Sequence, residues 1–466
     1  MSVTGRLFTG ALTVATAQTV VMSALPVLGA ELGVAPPAAT WTLTVFMLAG
    51  AVATPIAGRL GDMLGYRRVM LGCLAAFTAG TVLCLLGAGT GSYPLLLAGR
   101  ALSGLGSGVF PLTFGIARAA LPPARQPRAI ALLSALTGIG GALGMVLSGP
   151  LAGAWGTGGL FWPLLPLALL SLLLAAGLPR TGTPAGGRVD LLGALLLAGA
   201  LVAGLLLISQ GRSWGWAAPV TCAVAVAAVL LTVAFLLVER RVPAPLLDIA
   251  LHTRRAVALT HLSAVLIGCA MFGAITLLPM LAQTPAGYGL DLSPSGTGLL
   301  MIPTVVTMLL VSPLAPRLRG RFGSRAPLAA GAAVAAVALT QLALAHDRVW
   351  HLAVAGLLTG VAYGLAFAAL GSLVVEAVAP AETGAAGGVN TIARTAGGAI
   401  GAQLATALVV AGGGERGYVL AFAVFAVLAV SAVPLVRALP VSGGGYRGGH
   451  ESNRGAGAPG GAADRL

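Results

Sequence analysis

Arg100 stands alone in LLLAGRALSGLGSG, a run otherwise built from apolar and small residues. A guanidinium inside such a run is costly in hydrocarbon. It marks an ion or substrate pathway unless its stem carries the charge out to the interface. Downstream, Asn390, Arg394 and Gln403 stud the glycine-rich stretch GGVNTIARTAGGAIGAQ. Gln18 is the one amide of the first apolar run, within TAQTVVMSALPVL. His261 lies in another apolar run and can exchange a proton near neutral pH. None of the twelve acids falls in the middle of such a run; all sit in loops, in the tail or at helix ends. A proton relay across a membrane usually needs a group at that depth whose charge changes, and in the apolar runs His261 is the candidate coupling group.

The stretch Gly58–Val69, GRLGDMLGYRRV, carries Arg59, Arg67 and Arg68 with a single acid, Asp62. Gly61 and Gly65 give the backbone the freedom that a tight turn between two helices requires. Arginines grouped in a short loop hold that loop on the cytoplasmic side of a membrane. An acid alone among them needs a cation or a helix N-terminus.

The chain around these residues is 58 % hydrophobic and 8 % charged, with a mean hydropathy of +0.97. A soluble domain carries about 25 % charged residues, so these values imply an integral membrane protein. The formal charge is +14 and every cation is arginine, since no lysine occurs. These arginines are scattered between apolar runs without interleaved aromatics, so the charge reads as topology rather than as a nucleic-acid surface. Cys73, Cys84, Cys222 and Cys269 lie in apolar runs without ligand spacing, so neither metal nor cofactor is expected. No GxxxxGK[ST] loop and no catalytic constellation occurs, which argues against an enzyme or an ATP-driven pump on this chain.

A membrane span needs about 20 mainly apolar residues. Fourteen candidates follow, at about 8–29, 40–58, 69–89, 93–117, 129–153, 159–178, 190–210, 217–238, 256–281, 295–314, 326–345, 350–375, 387–411 and 418–438. With the N-terminus inside, only Arg212, Arg348 and Arg416 occupy outer loops, so both termini are expected in the cytoplasm. Arg59-Leu60, Gly65 and Arg67 recur 258 residues later as Arg317-Leu318, Gly323 and Arg325, and Gly104 and Gly108 are echoed by Gly360 and Gly364. Gly320 replaces the acid in the second copy. The chain therefore divides into a six-helix half (1–180), an inserted segment (181–249, with two helices at about 190–238) and a second six-helix half (250–440). A polar glycine-rich tail, 441–466, is expected to be disordered and cytoplasmic.

The string from Gly58 to Arg68 resembles the signature between the second and third helices of the major facilitator superfamily, G-x-L-x-D-x-x-G-x-R. Arg100, Gly104 and Gly106 resemble its fourth-helix motif R-x-x-Q-G-x-G, with Ser103 in place of the glutamine. Gly149, Pro150 and Gly153 are similar to the exporter motif G-x-x-x-G-P-x-x-G-G, although Met145 replaces its first glycine and Ala154 its last. The first run resembles the opening L-D-x-T-[IV]-V-N-V-A-L-P of the fourteen-span drug:proton antiporters, with Ala17 where their acid stands. The E-x-x-E-R cluster of oligopeptide symporters is absent.

The resemblance implies an all-α integral membrane protein of the major facilitator fold, with fourteen transmembrane helices arranged 6+2+6 and two pseudo-symmetric halves. It implies a monomer of the bacterial plasma membrane that exports amphipathic, drug-like molecules, using protons and alternating access. Gly58, Asp62, Gly65, Arg67 and Arg68 inherit the role of a conformational switch, with Asp62 facing the N-terminus of the thirteenth helix. Gly104, Gly108, Gly149, Pro150 and Gly153 inherit close helix packing, and the resemblance implies a part in proton coupling for Arg100. The cavity is expected between the first, fourth, ninth and thirteenth spans, among others, with Gln18, Arg100, Asn390, Arg394 and Gln403 as polar contacts. With no acid there, anionic or neutral substrates suit it better than dications. Ala17 motivates an alternative, a proton-independent facilitator or importer of small solutes. A transport-inactive sensor or scaffold is a second alternative.

Overall fold

In the computed structural model of the chain, residues 2–122, 125–180, 190–242, 254–377 and 383–438 are described. The expected tail lies outside them. The described helices, in order, are α1 (Val3–Leu32), α2 (Pro36–Leu64), α3 (Tyr66–Thr90), α4 (Tyr93–Ala120), α5 (Gln126–Gly159), α6 (Leu164–Ala176) and α7 (Leu191–Trp214). They continue as α8 (Pro219–Glu239), α9 (Arg255–Gln283), α10 (Pro294–Phe322), α11 (Ala326–Leu344), α12 (Val349–Ala377), α13 (Thr383–Gly412) and α14 (Gly414–Ala438). Among the described residues, thirteen helices are long and apolar enough to cross a membrane, and α6, with 13 residues, is the short one.

Two departures from straight helices have local causes. In α1 a 3-10 turn at Met22–Ala24 precedes Pro26, whose missing N–H cannot continue the ladder. In α5 the helix breaks at Trp155 and Gly156, the glycine at φ +61°. The Glu31 carboxylate accepts from the Thr157 N–H at 2.8 Å, and a Cβ on Gly156 would lie 3.1 Å from its carboxyl carbon. The chain then turns through 160–163 into Pro163, which is why α6 begins later than its apolar run suggests.

The sequence repeat is a repeat of packing. Gly65 (φ +92°) ends α2 and Gly323 (φ +87°) ends α10, each with its N–H bonded to the carbonyl four residues back. Arg67 then reaches the Ala176 carbonyl at the end of α6, and Arg325 donates to the Arg437 carbonyl at the end of α14 at 2.9 Å. Both place a guanidinium on the negative end of a helix. Gly104 and Gly108 seat α4 on α2, with a Cβ on Gly104 2.5 Å from the Phe46 carbonyl and one on Gly108 2.5 Å from the Ala57 Cβ. Gly360 and Gly364 seat α12 on α10 in the same way, a Cβ on Gly364 falling 2.7 Å from the Met308 carbonyl.

The tightest seam joins α9 to α13, where glycines of α13 meet the backbone of α9. A Cβ on Gly397 would lie 2.8 Å from the Val265 Cα, and one on Gly401 2.8 Å from the Cys269 Cα. Small residues at this spacing let backbones touch where lipid offers no hydrophobic drive to associate. The inserted pair stays peripheral. α7 rests on α2 and α13, tied by Trp41 Nε1 donating to Ser209 Oγ at 3.0 Å, while α8 packs on α7 and leaves Val229 and Leu230 exposed.

Candidate substrate cavity

Where the two halves meet, a cavity of ≈570 Å³ lies between α1, α5, α9, α10, α12 and α13. Among the described lining residues none comes from α4, so of the four spans expected by number the first, ninth and thirteenth line the cavity, joined by the fifth, tenth and twelfth. The methionines Met22, Met145, Met271 and Met308 line it, with Phe272 and Phe367. Its polar side is mainly one face of α13, where Asn390, Thr391, Arg394 and Thr395 follow one another around a turn, faced by Gln18 and Thr19 from α1. No acidic side chain is among the described lining residues.

Arg394 lies with its guanidinium carbon 4.3 Å from the Phe367 ring centre, a cation held against an aromatic face. Asn390 donates to Nδ1 of His261 at 3.4 Å, and His261 itself is not among the described lining residues. Thr19 Oγ1 closes onto the Gly141 carbonyl at 2.7 Å, and Tyr363 donates to the Ala270 carbonyl at 3.3 Å. Phe367, Tyr363 and the methionines carry no sequence signal, because their apolar runs look alike on every face.

Two residues expected at the cavity stand elsewhere. Arg100 is 1 % exposed and does not reach the interface. Its Nε donates to the Thr42 carbonyl at 2.7 Å, its Nη1 to the Ala17 carbonyl at 3.0 Å, and its guanidinium lies 4.4 Å from the Phe46 ring centre. It thus ties α4 to α1 and α2, meeting a backbone carbonyl at the position where the antiporters it resembles carry an acid. Its Nη2 has no hydrogen-bond partner. Gln403 is fully buried and donates to Thr44 Oγ1 at 3.1 Å, linking α13 to α2 across the halves.

The exporter-like motif packs α5 closely against the start of α10. A Cβ on Gly149 would collide with the Pro294 carbonyl, and one on Gly298 would lie 2.5 Å from Pro150 Cδ and 2.8 Å from the Val146 carbonyl. Gly153 faces Ser295 in the same seam. Gln283 donates to the Ser23 carbonyl at 2.7 Å, and the Thr44–Gln403 bond lies toward the same end. All these contacts join the halves near the arginine-poor loops, whereas Ser312, Pro313, Leu370 and Asn390 carry the cavity toward the arginine-rich end.

In the signature loop, Asp62 accepts from the Tyr66 hydroxyl at 2.6 Å, Arg68 is exposed, and a Cβ on Gly58 would meet Pro111 at an ordinary contact distance of 3.8 Å. The side chains of the first turn of α13, the partner expected for Asp62, lie outside the described residues.

Comparison with known proteins agrees with this architecture. The family described as Major Facilitator Superfamily matches residues 7–191 and 260–456, on either side of the inserted pair. The chain is 30 % identical over 386 residues to multidrug resistance protein Stp of Mycobacterium tuberculosis (strain CDC 1551 / Oshkosh), covering 82 % of this chain and 71 % of that one. It is 32 % identical over 408 residues to cephamycin export protein CmcT of Amycolatopsis lactamdurans, covering 85 % and 82 %. Other mycobacterial relatives, 32 % identical over 322 residues, are much longer: the chain spans 45 % of their length. A solved peptide transporter POT in complex with sulfate superposes with a TM-score of 0.66 at 16 % identity, over 94 % of each chain, a likeness of fold. The motifs, the doubled helix packing and the family match together place this multi-pass membrane protein in the Major Facilitator Superfamily of transporters.

Proposed function

We propose that this chain exports amphipathic, antibiotic-like small molecules across a bacterial plasma membrane by alternating access, as a monomer with both termini in the cytoplasm. The observation that carries this reading is the cavity: ≈570 Å³, at the seam of the two halves. In this reading the Gly149–Gly298 contact closes one end of it. Drug-sized ligands occupy pockets of about 300–1,000 Å³. Four methionines give this wall an adaptable, polarizable surface, suited to apolar bodies of varied shape. The names of two relatives, a multidrug resistance protein and a cephamycin exporter, agree with such cargo. Gly58, Asp62, Gly65, Arg67 and Arg68 serve as the hinge of the opposite, cytoplasmic end, with Arg67 anchored on the end of α6.

Coupling to protons runs through His261 rather than Arg100. Asn390 needs an unprotonated Nδ1 as acceptor. A proton placed there removes the acceptor and frees the amide on the cavity wall. The lack of a carboxylate among the described lining residues favours a second reading, a facilitator without coupling. Inverted vesicles containing the purified protein separate the two. Accumulation of a fluorescent amphipath driven by an imposed pH gradient, and lost in His261→Ala, supports antiport. Flux indifferent to the gradient supports the facilitator. No flux of any amphipath refutes export.

A further inference from the structure

Arg394 is the one charged side chain among the described lining residues of the cavity. Its guanidinium rests on the Phe367 ring at 4.3 Å, and the neighbouring Thr391 and Thr395 of α13 also line the cavity. Met22, Met145, Met271, Met308 and Phe272 supply much of the apolar remainder of the wall. A cation at a low-dielectric wall draws a counter-charge strongly. None of the described lining residues supplies one. Arg100, buried within nearby helices, donates through Nε and Nη1 to two backbone carbonyls and is not among the described lining residues.

We infer that Arg394 is the anchor for an anionic head group, and that the preferred cargo is an amphipathic monoanion, with a carboxylate or sulfonate on the α13 face and an apolar body against the methionines. The planar guanidinium suits such groups because it presents parallel N–H donors to two oxygens at once. With a single arginine on the described wall, one negative charge is neutralised and a second is left uncompensated. A cationic amphipath meets repulsion from Arg394 and finds no carboxylate on the described wall. The inference rests on the exporter reading for its meaning but not for its test.

Three ligands share one fluorophore and differ in charge: dansylglycine (anion), dansylamide (neutral) and dansylcadaverine (cation). Their binding to the full chain in lipid nanodiscs is read from dansyl emission, for the unmodified protein, Arg394→Ala and Arg394→Lys. The unmodified protein is expected to bind dansylglycine at least tenfold more tightly than dansylcadaverine. Arg394→Ala is expected to weaken dansylglycine by about 30-fold or more, the loss on truncating one partner of a buried charge pair. Dansylamide binding then stays unchanged, which shows that the cavity is intact, and Arg394→Lys keeps part of the preference for the anion. A preference for dansylcadaverine, equal affinity for all three, no binding of dansylglycine, or an unchanged dansylglycine affinity in Arg394→Ala overturns the proposal. Vesicle transport of the same ligands separates the two readings. Dansylamide or dansylcadaverine moved without any preference for the anion leaves an exporter without an anion anchor. Dansylglycine bound through Arg394 but never moved leaves the anchor without an exporter.

Discussion

Replacing Gly298 with leucine is expected to pry open the arginine-poor end of the molecule. A Cβ at Gly298 would lie 2.5 Å from Pro150 Cδ, 2.8 Å from the Val146 carbonyl and 3.4 Å from the Gly149 Cα, so the neighbour is backbone and a proline ring, neither of which can swing aside. Forcing extra carbons into a packed contact costs about 1–3 kcal/mol. That strain exists only while the seam is shut, so it shifts the ratio of open to shut molecules by about 5- to 150-fold. The shift can be read with Ser23→Cys, a buried position whose carbonyl accepts from Gln283 within the seam, after Cys73, Cys84, Cys222 and Cys269 have been replaced. A membrane-impermeant maleimide added from the arginine-poor side should label the introduced thiol faster in Gly298→Leu than in its parent, and by a smaller factor in Gly298→Ala. Gly204→Leu, where nothing lies within 4 Å of the added carbon, should leave the rate unchanged. Equal rates in parent and Gly298→Leu, with both folded, would refute the idea that this contact is what closes the cavity.

Arg100→Ala should leave the buried carbonyls of Thr42 and Ala17 without their charged donor. A loss of about 3 kcal/mol or more follows from two such bonds, seen as a lower melting temperature, and Arg100→Lys should restore only part because an ammonium lacks the fork. Gln403→Leu loses one bond to Thr44 but also removes the unpartnered buried Oε1, so its change should stay within about 1.5 kcal/mol. Gln403→Glu places a charge at a fully buried site and should destabilise far more in the same melting assay. Gly401→Val sets a branched side chain against the Cys269 backbone. It should yield no monodisperse protein by size-exclusion chromatography, whereas Gly204→Val should elute normally.

The helices are legible in the sequence because hydrocarbon thickness imposes length, and charge, proline and glycine punctuate the runs. The sixth starts later than its apolar run implies, since Phe161 and Trp162 are as apolar as a helix while Pro163 dictates a turn. The doubling of the halves is also legible, because Gly65 and Gly323 must adopt positive φ and therefore stay glycine in both copies. Sorting the polar residues is harder. Arg100, Arg394 and Gln403 have similar apolar neighbours in the chain, and only the packing decides that Arg394 faces the cavity while the other two link helices. Gly149 and Pro150 announce a close approach, but their partner Gly298 lies in the other half, and nothing local connects the two.

The most direct test of the central claim, that this cavity is the transport route, is a reversible plug. Thr395→Cys places a single thiol on the cavity wall once the four native cysteines are replaced. Flux of a dansyl amphipath through reconstituted vesicles is then followed before and after a bulky methanethiosulfonate reagent reaches that thiol, and again after dithiothreitol removes it. The account predicts that flux stops with modification and returns on reduction. Undiminished flux through protein whose cavity thiol is fully modified would contradict it.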